Sequence, residues 1–141
     1  MKFVADVMLG SLARLMRFHG YDVEYNNKAD DDALKKRSIY RILLTKDRKL
    51  SGRIRKDRVY LVQNTGGKNQ LREIQKQFPI GNAGSRCIEC NVKLHLIRKE
   101  KVEHLIPPFV FKRYNQFFLC GSCARIYWKG THFEQMLRML E

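Results

Sequence analysis

Apolar residues along the first eighty or so positions fall into short runs that alternate with amphipathic stretches, the pattern of strands and helices taken in turn. Residues 2–6 (KFVAD) read as a short buried strand, apolar at Phe3 and Val4 and closed by an acid. Met8, Leu9, Leu12, Leu15 and Met16 then recur at helical spacing, with Arg14 and Arg17 on the other side, and Gly20 ends the predicted helix. Residues 22–25 make a second strand and 26–28 a loop. The acidic triplet Asp30, Asp31 and Asp32 opens a helix reaching residue 38, where carboxylates suit the partial positive charge of unpaired N–H groups.

Residues 41–45 (RILLT) give the clearest central strand, because the unbroken run Ile42, Leu43, Leu44 is what a strand buried on both faces requires. A short basic helix over 46–56, a fourth strand over 59–62, a loop around Gly66 and Gly67, and a helix carrying Leu71, Ile74 and Phe78 complete the series. Strands alternating with helices predict an α/β fold, a parallel sheet flanked by helices. Residues 79–85 (PIGNAGS) read as a linker, which divides the chain into an α/β domain at 1–80 and a cysteine-organised domain at 81–141. Near the end, Phe133, Met136, Leu137 and Leu140 form one stripe behind Thr131 and Glu134 in capping-box positions, which predicts a closing helix.

With 44% of its 141 residues hydrophobic, the chain has enough apolar material for a core, which argues against wholesale disorder. No apolar run approaches the roughly 20 residues of a membrane-spanning helix. Met1 leads straight into strand-like sequence rather than a signal peptide. A cytoplasmic protein without membrane association is therefore expected, while oligomeric state is left open. Lysine and arginine outnumber aspartate and glutamate 28 to 14, a formal charge of +14 that points to a polyanionic partner. Between Lys35 and Arg58 eleven basic residues face only Asp47 and Asp57, a local excess of +9. Such a run is ordinarily a solvated surface. Because Lys46, Arg48, Lys49 and Arg53 crowd around Asp47, it is also a candidate track for a nucleic-acid backbone.

The four cysteines occur as Cys87-x-x-Cys90 and Cys120-x-x-Cys123, with 29 residues between the pairs. Two thiolates three positions apart grip one ion from a tight turn, and two such knuckles complete a tetrahedron of sulfurs. Disulfides are the competing assignment, disfavoured in a chain with no export signal. Four ligands leave no open position, so structural zinc in a zinc ribbon is expected. The alternating residues 92–97 and the aromatic and β-branched residues 109–119 serve as its hairpin arms. Tyr114, Phe117, Phe118, Tyr127 and Trp128 lie among Lys112, Arg113, Arg125 and Lys129. That mixture suits stacking on single-stranded bases; ribbon core competes, and is favoured for Phe117, Phe118 and Trp128.

Asp6 and Asp47 each follow a predicted strand, and the triplet follows the second strand. In parallel α/β sheets the loops beyond the C-terminal strand ends converge, so acids remote in sequence can meet there. Carboxylates brought together repel unless cations neutralise them, and hard divalent ions such as Mg²⁺ or Mn²⁺ prefer oxygen ligands. Bound ions would polarise a phosphodiester and activate a water. Each acid, taken singly, is more often a helix cap.

The strings FVADVMLGSLARLMR at 3–17, DDDAL at 30–34 and LLTKDRKL at 43–50, the two CxxC knuckles and YWKGTH at 127–132 occur in order over nearly the whole chain. Together they resemble the PIN-like ribonuclease domain first described at the C-terminus of the worm mutator-seven exonuclease. The resemblance implies a PIN-like sheet with an attached zinc ribbon. It also implies Mg²⁺- or Mn²⁺-dependent hydrolysis of RNA, single-stranded or structured, through metal-activated water. By position it implies Asp6 and Asp47 as metal ligands, Asp30 or the adjacent Asp31 as the third acid, and Thr45 orienting Asp47. Arg14 would meet a substrate phosphate, and His132, in the first turn of the closing helix, stays outside the catalytic set. Many PIN nucleases carry a further acid after the fourth strand, where this chain has Gln63 and Asn64; Asp57 comes before that strand and Glu73 lies inside the next helix. A reading from a different class is a non-catalytic zinc-ribbon RNA-binding module, in which the acids only cap helices.

Overall fold

A computed structural model describes residues 1–81 and 83–128. The expected closing helix and His132 lie outside the described residues. Four parallel strands, β1 (Lys2–Ala5), β2 (Asp22–Tyr25), β3 (Ile42–Thr45) and β4 (Val59–Leu61), form one sheet in the order β2-β1-β3-β4. Helices α1 (Gly10–Phe18), α2 (Asp31–Arg37) and α3 (Arg48–Gly52) fill the three crossovers and α4 (Gly67–Gln77) follows β4, with a 3₁₀ turn at Val7–Leu9 leading into α1.

Alternation along the strands sorts the core into two layers. Phe3, Ala5, Val23 and Leu44 join Leu12, Met16, Leu71 and Ile74 from α1 and α4. Val4 and Leu43 point the other way, onto Leu34 of α2, Leu50 of α3 and Ile54. By the same parity Asp6 and Thr45, one step past Ala5 and Leu44, turn toward the α2 and α3 side at the strand ends.

One assignment on α1 is corrected. Arg17, expected on the polar side with Arg14, is only 6% exposed. Its burial is tolerable because Nε donates to the Val23 carbonyl at 2.9 Å and Nη1 to the Ile88 and Glu89 carbonyls at 2.8 and 3.3 Å. Two of those acceptors belong to the first cysteine knuckle, so Arg17 ties that knuckle to the sheet. Asn91 does the same: its side chain accepts from the Val23 N–H at 3.0 Å and donates to Asp22 at 2.7 Å.

A second, antiparallel sheet follows, β5 (His95–Ile97), β6 (Phe117–Leu119) and β7 (Ile126–Tyr127), in that order. The expected second arm over 109–119 is half wrong, because Pro108–Arg113 is a helix, α5. Pro108 opens it with a preset φ and no N–H to satisfy. Val110 then packs inward against Val102 and Phe117, with Trp128 beside them. No helix among the described residues is long and apolar enough to cross a membrane.

Candidate functional site

The chain leaves β1 for β2 on one side and returns to β3 on the other, so the crevice of this sheet lies beyond the C-terminal ends of β1 and β3. Asp6 and Thr45 stand there. The Asp6 N–H donates to the Leu44 carbonyl at 2.9 Å, which fixes the acid at the strand end. Its carboxylate, 6% exposed, accepts from the Val7 N–H at 2.6 Å through Oδ1 and from the Thr45 hydroxyl at 2.7 Å through Oδ2. The same hydroxyl accepts the Asp47 N–H at 3.0 Å. Thr45, fully buried, thus holds the two acids in register from adjacent strands.

Asp47 is also the N-cap of α3, its Oδ1 accepting from the N–H groups of Lys49 and Leu50 at 2.9 and 3.2 Å. Its Oδ2 has no hydrogen-bond partner among the described residues. Asp30 caps α2 through Oδ1, which accepts from Ala33 at 2.8 Å. Asp31 and Asp32 turn instead toward Arg53, at 4.0 and 3.8 Å. Among the described residues, only the four cysteines form a group of three or more metal-ligating side chains with ligand atoms within 4.8 Å of one another. Thr45 therefore links the Asp6 carboxylate to the Asp47 backbone, and none of Asp6, Asp30, Asp31 and Asp47 belongs to such a group.

Of the basic residues expected to meet nucleic acid, Arg48 and Lys49 are exposed at the start of α3 beside Asp47. Lys46 donates to the Asn64 carbonyl at 2.7 Å. Arg53 has the long pairs just described. Arg14 stands 3.8 Å from Glu89, in a polar cleft whose lining includes Val7, the residue after Asp6.

Glu73, which sequence reasoning placed only inside a helix, organises the loop after β4. Its carboxylate accepts from the Tyr60 hydroxyl at 2.6 Å, from the N–H groups of Gln63 and Asn64 at 2.9 Å each, and from the Asn64 amide at 2.7 Å. Burial works against its charge, but these donors outweigh burial and hold the acid down to about 2. Tyr60 is pushed up to about 12 by burial and by Glu73. The carboxylate is saturated and shapes the loop after β4 rather than offering free ligand oxygens.

The cysteine pairs sit on two turns built alike. In each, the N–H of the second cysteine approaches the first sulfur, at 3.4 Å for Cys90 and 3.5 Å for Cys123. The next residue is left-handed, Asn91 with φ 65° and Ala124 with φ 63°. The sulfurs of Cys87 and Cys123 are 3.8 Å apart. A zinc–sulfur bond of about 2.3 Å gives a tetrahedral edge of about 3.8 Å, so the donor set fits zinc in both chemistry and size. The Tyr127 hydroxyl lies 3.0 Å from the Cys87 sulfur, as a supporting hydrogen bond to a ligand should. Tyr127 is thereby buried beside the knuckles rather than free to stack on bases, and Phe117 is wholly buried in ribbon core.

The chain thus combines a parallel four-stranded sheet flanked by helices with a four-cysteine cluster. The chain belongs to the Mut7-C family: the model described as the Mut7-C RNAse domain matches residues 1–140, essentially the whole chain. Membership supports a ribonuclease-type function with RNA as substrate. Comparisons with curated proteins and with solved structures gave no match.

Proposed function

We propose that this chain is a PIN-like, divalent-metal-dependent ribonuclease whose chemistry is carried by Asp6 and Asp47, with a structural zinc in the four-cysteine cluster. The observation that carries the reading is the Thr45 hydroxyl, which donates to Asp6 and accepts from the Asp47 backbone. A buried hydroxyl used in this way fixes the Asp6 carboxylate and the backbone of Asp47 at one strand-end crevice, beyond what helix capping requires.

The donor set fits a hard cation. Among the described residues Asp47 keeps Oδ2 without a hydrogen-bond partner, and both oxygens of Asp6 have lone pairs beyond the single hydrogen bond each accepts. Asp6 and Asp47 would hold the ion, with Asp30, or Asp31 in its place, as the third acid. A bound Mg²⁺ or Mn²⁺ supplies Lewis-acid charge at the phosphodiester and makes water a stronger nucleophile. Thr45 keeps Asp6 oriented, and Arg48 and Lys49 draw the RNA backbone toward the acids. The basic stretch from Lys35 to Arg58 extends that attraction along α2 and α3.

A second reading has its own observation. Asp6, Asp30 and Asp47 all accept backbone N–H groups at the start of a helical turn, which is what a non-catalytic RNA-binding module would need of them and no more. Incubating the purified, zinc-loaded protein with single-stranded RNA separates the two. Cleavage that requires added Mn²⁺ or Mg²⁺ supports the enzyme, and binding without cleavage under any metal supports the module.

A further inference from the structure

An open cleft of about 620 Å³ runs from Val7, the neighbour of Asp6, between α1, the loop after β2 and the first cysteine knuckle. Its lining is polar, including Ser11, Arg14, Arg17, Asn26 and Glu89. Its volume is that of a small-molecule or nucleotide site.

The walls are fixed before any ligand arrives. Tyr25 donates its hydroxyl to the Val7 carbonyl at 2.8 Å. Gly10 packs so closely that a Cβ there would stand 2.9 Å from that hydroxyl oxygen. Arg17 spends Nε and Nη1 on backbone carbonyls, and its Nη2 has no hydrogen-bond partner among the described residues. Glu89 is carried between Cys87 and Cys90, and its own carbonyl is one of the Arg17 acceptors. Among the described residues the Glu89 carboxylate has one ion pair within 4 Å, Arg14 at 3.8 Å, too long for a direct hydrogen bond, with Arg17 and Arg125 acting on it from further off. Both side chains are about two-fifths exposed, 45% for Arg14 and 40% for Glu89. The pair is therefore ready to trade each other for stronger partners.

We propose that this cleft is a nucleotide subsite in which Glu89 reads the Watson–Crick edge of a guanine while Arg14 and Ser11 hold a phosphate of the same strand. The proposal rests on the ribonuclease reading and adds base specificity to it. Guanine presents two adjacent donors, N1–H and N2–H₂, which match the two oxygens of a carboxylate. Adenine and cytosine place a ring-nitrogen lone pair beside their amino group, and uracil flanks one N–H with two carbonyls, so each sets an acceptor against the acid. Recognition of unstacked bases by such edges is the usual route to sequence preference in single-stranded RNA. Arg14, freed from Glu89, offers its guanidinium fork to a phosphate, with the Ser11 hydroxyl one helical turn away.

The test is binding of uracil octamers containing one internal guanine, adenine, cytosine or no substitution, measured by fluorescence anisotropy. It uses the zinc-loaded full-length Asp47→Asn protein, so that cutting does not interfere. The guanine octamer is expected to bind about 10-fold tighter than the others, as for a pair of charge-assisted hydrogen bonds. Glu89→Gln, which puts a donor where one acceptor stood, should bring it down to the level of the rest, with melting temperature and zinc content retained. Arg14→Gln should weaken all four octamers alike and reduce the log–log salt slope by about 0.7, one phosphate contact on a single strand. Equal affinity for all four octamers, or a guanine preference that survives Glu89→Gln, would overturn the proposal. A guanine preference in a wild-type protein that never cleaves RNA would instead remove the ribonuclease reading and leave the subsite standing.

Discussion

Arg17 on α1 donates to the carbonyl of Ile88, inside the first CxxC turn, at 2.8 Å, across 71 positions of sequence. The guanidinium is buried, which pulls its pKa down, while Glu89 and Cys87 push it back up. Arg17 thus ties the first cysteine knuckle to β2. Arg17→Met should fill much of the space but leave the Val23, Ile88 and Glu89 carbonyls without their donor. A loss of about 3 kcal/mol in urea unfolding is expected, accompanied by faster zinc release to a chelator. Unaltered zinc release would mean the knuckle does not depend on this strut.

Thr45 is fully buried with both of its hydroxyl interactions made to the acid pair. Thr45→Val keeps the shape and removes the hydroxyl, leaving Asp6 Oδ2 and the Asp47 N–H unsatisfied. The expected cost is about 1–3 kcal/mol in stability, together with a fall in RNA cleavage. Thr45→Ser, which restores the hydroxyl, should recover most of the activity. Equal activity in the valine and serine variants would leave Thr45 with a packing role only.

Ala124 holds φ 63°, a conformation that L-residues other than asparagine and aspartate seldom adopt. Its counterpart in the first knuckle is Asn91, for which the position is easier. Ala124→Gly should raise the stability of the zinc-loaded protein by about 0.5–1 kcal/mol, read by thermal melting, with one zinc per chain retained. A destabilised glycine variant would contradict the left-handed turn.

The Glu73 acid, held down to about 2 from its ordinary value of 4.5, stabilises the fold at any pH above the unfolded value and ceases to do so as pH falls through the folded one. The group is largely solvated, so its contribution, discounted for screening, is on the order of 1 kcal/mol. Denaturant midpoints should therefore fall between about pH 4.5 and 2 more steeply for the native protein than for Glu73→Gln. Parallel curves would show that Glu73 does not carry that dependence.

Much of the nuclease layer was legible in the sequence because local pattern and tertiary environment agree there. The run Ile42, Leu43, Leu44 reads as a covered parallel strand, Asp47 marks both the end of that strand and the start of a helix, and the 30–32 triplet marks a helix start. The paired CxxC spacing likewise announced a cluster that the fold does assemble. Arg17 was not legible, since an arginine at a polar helical position is solvated unless another element docks on it, and the docking partner lies 71 residues away. Residues 108–113 misled for a different reason: Phe109, Val110 and Phe111 have strand propensity, and the two prolines before them decided for a helix. Glu73 was invisible because its role comes from the loop that folds over it, not from its own helix.

Cleavage of a labelled single-stranded RNA by wild-type and Asp47→Asn proteins, each zinc-loaded and assayed with and without added Mn²⁺, bears most directly on the acid pair. Wild-type protein should cut only with Mn²⁺, and Asp47→Asn, folded and carrying its zinc, should be slower by about 10³-fold, several kcal/mol of lost charge stabilisation. Equal rates for the two proteins, or cutting by neither, would contradict a catalytic role for Asp47.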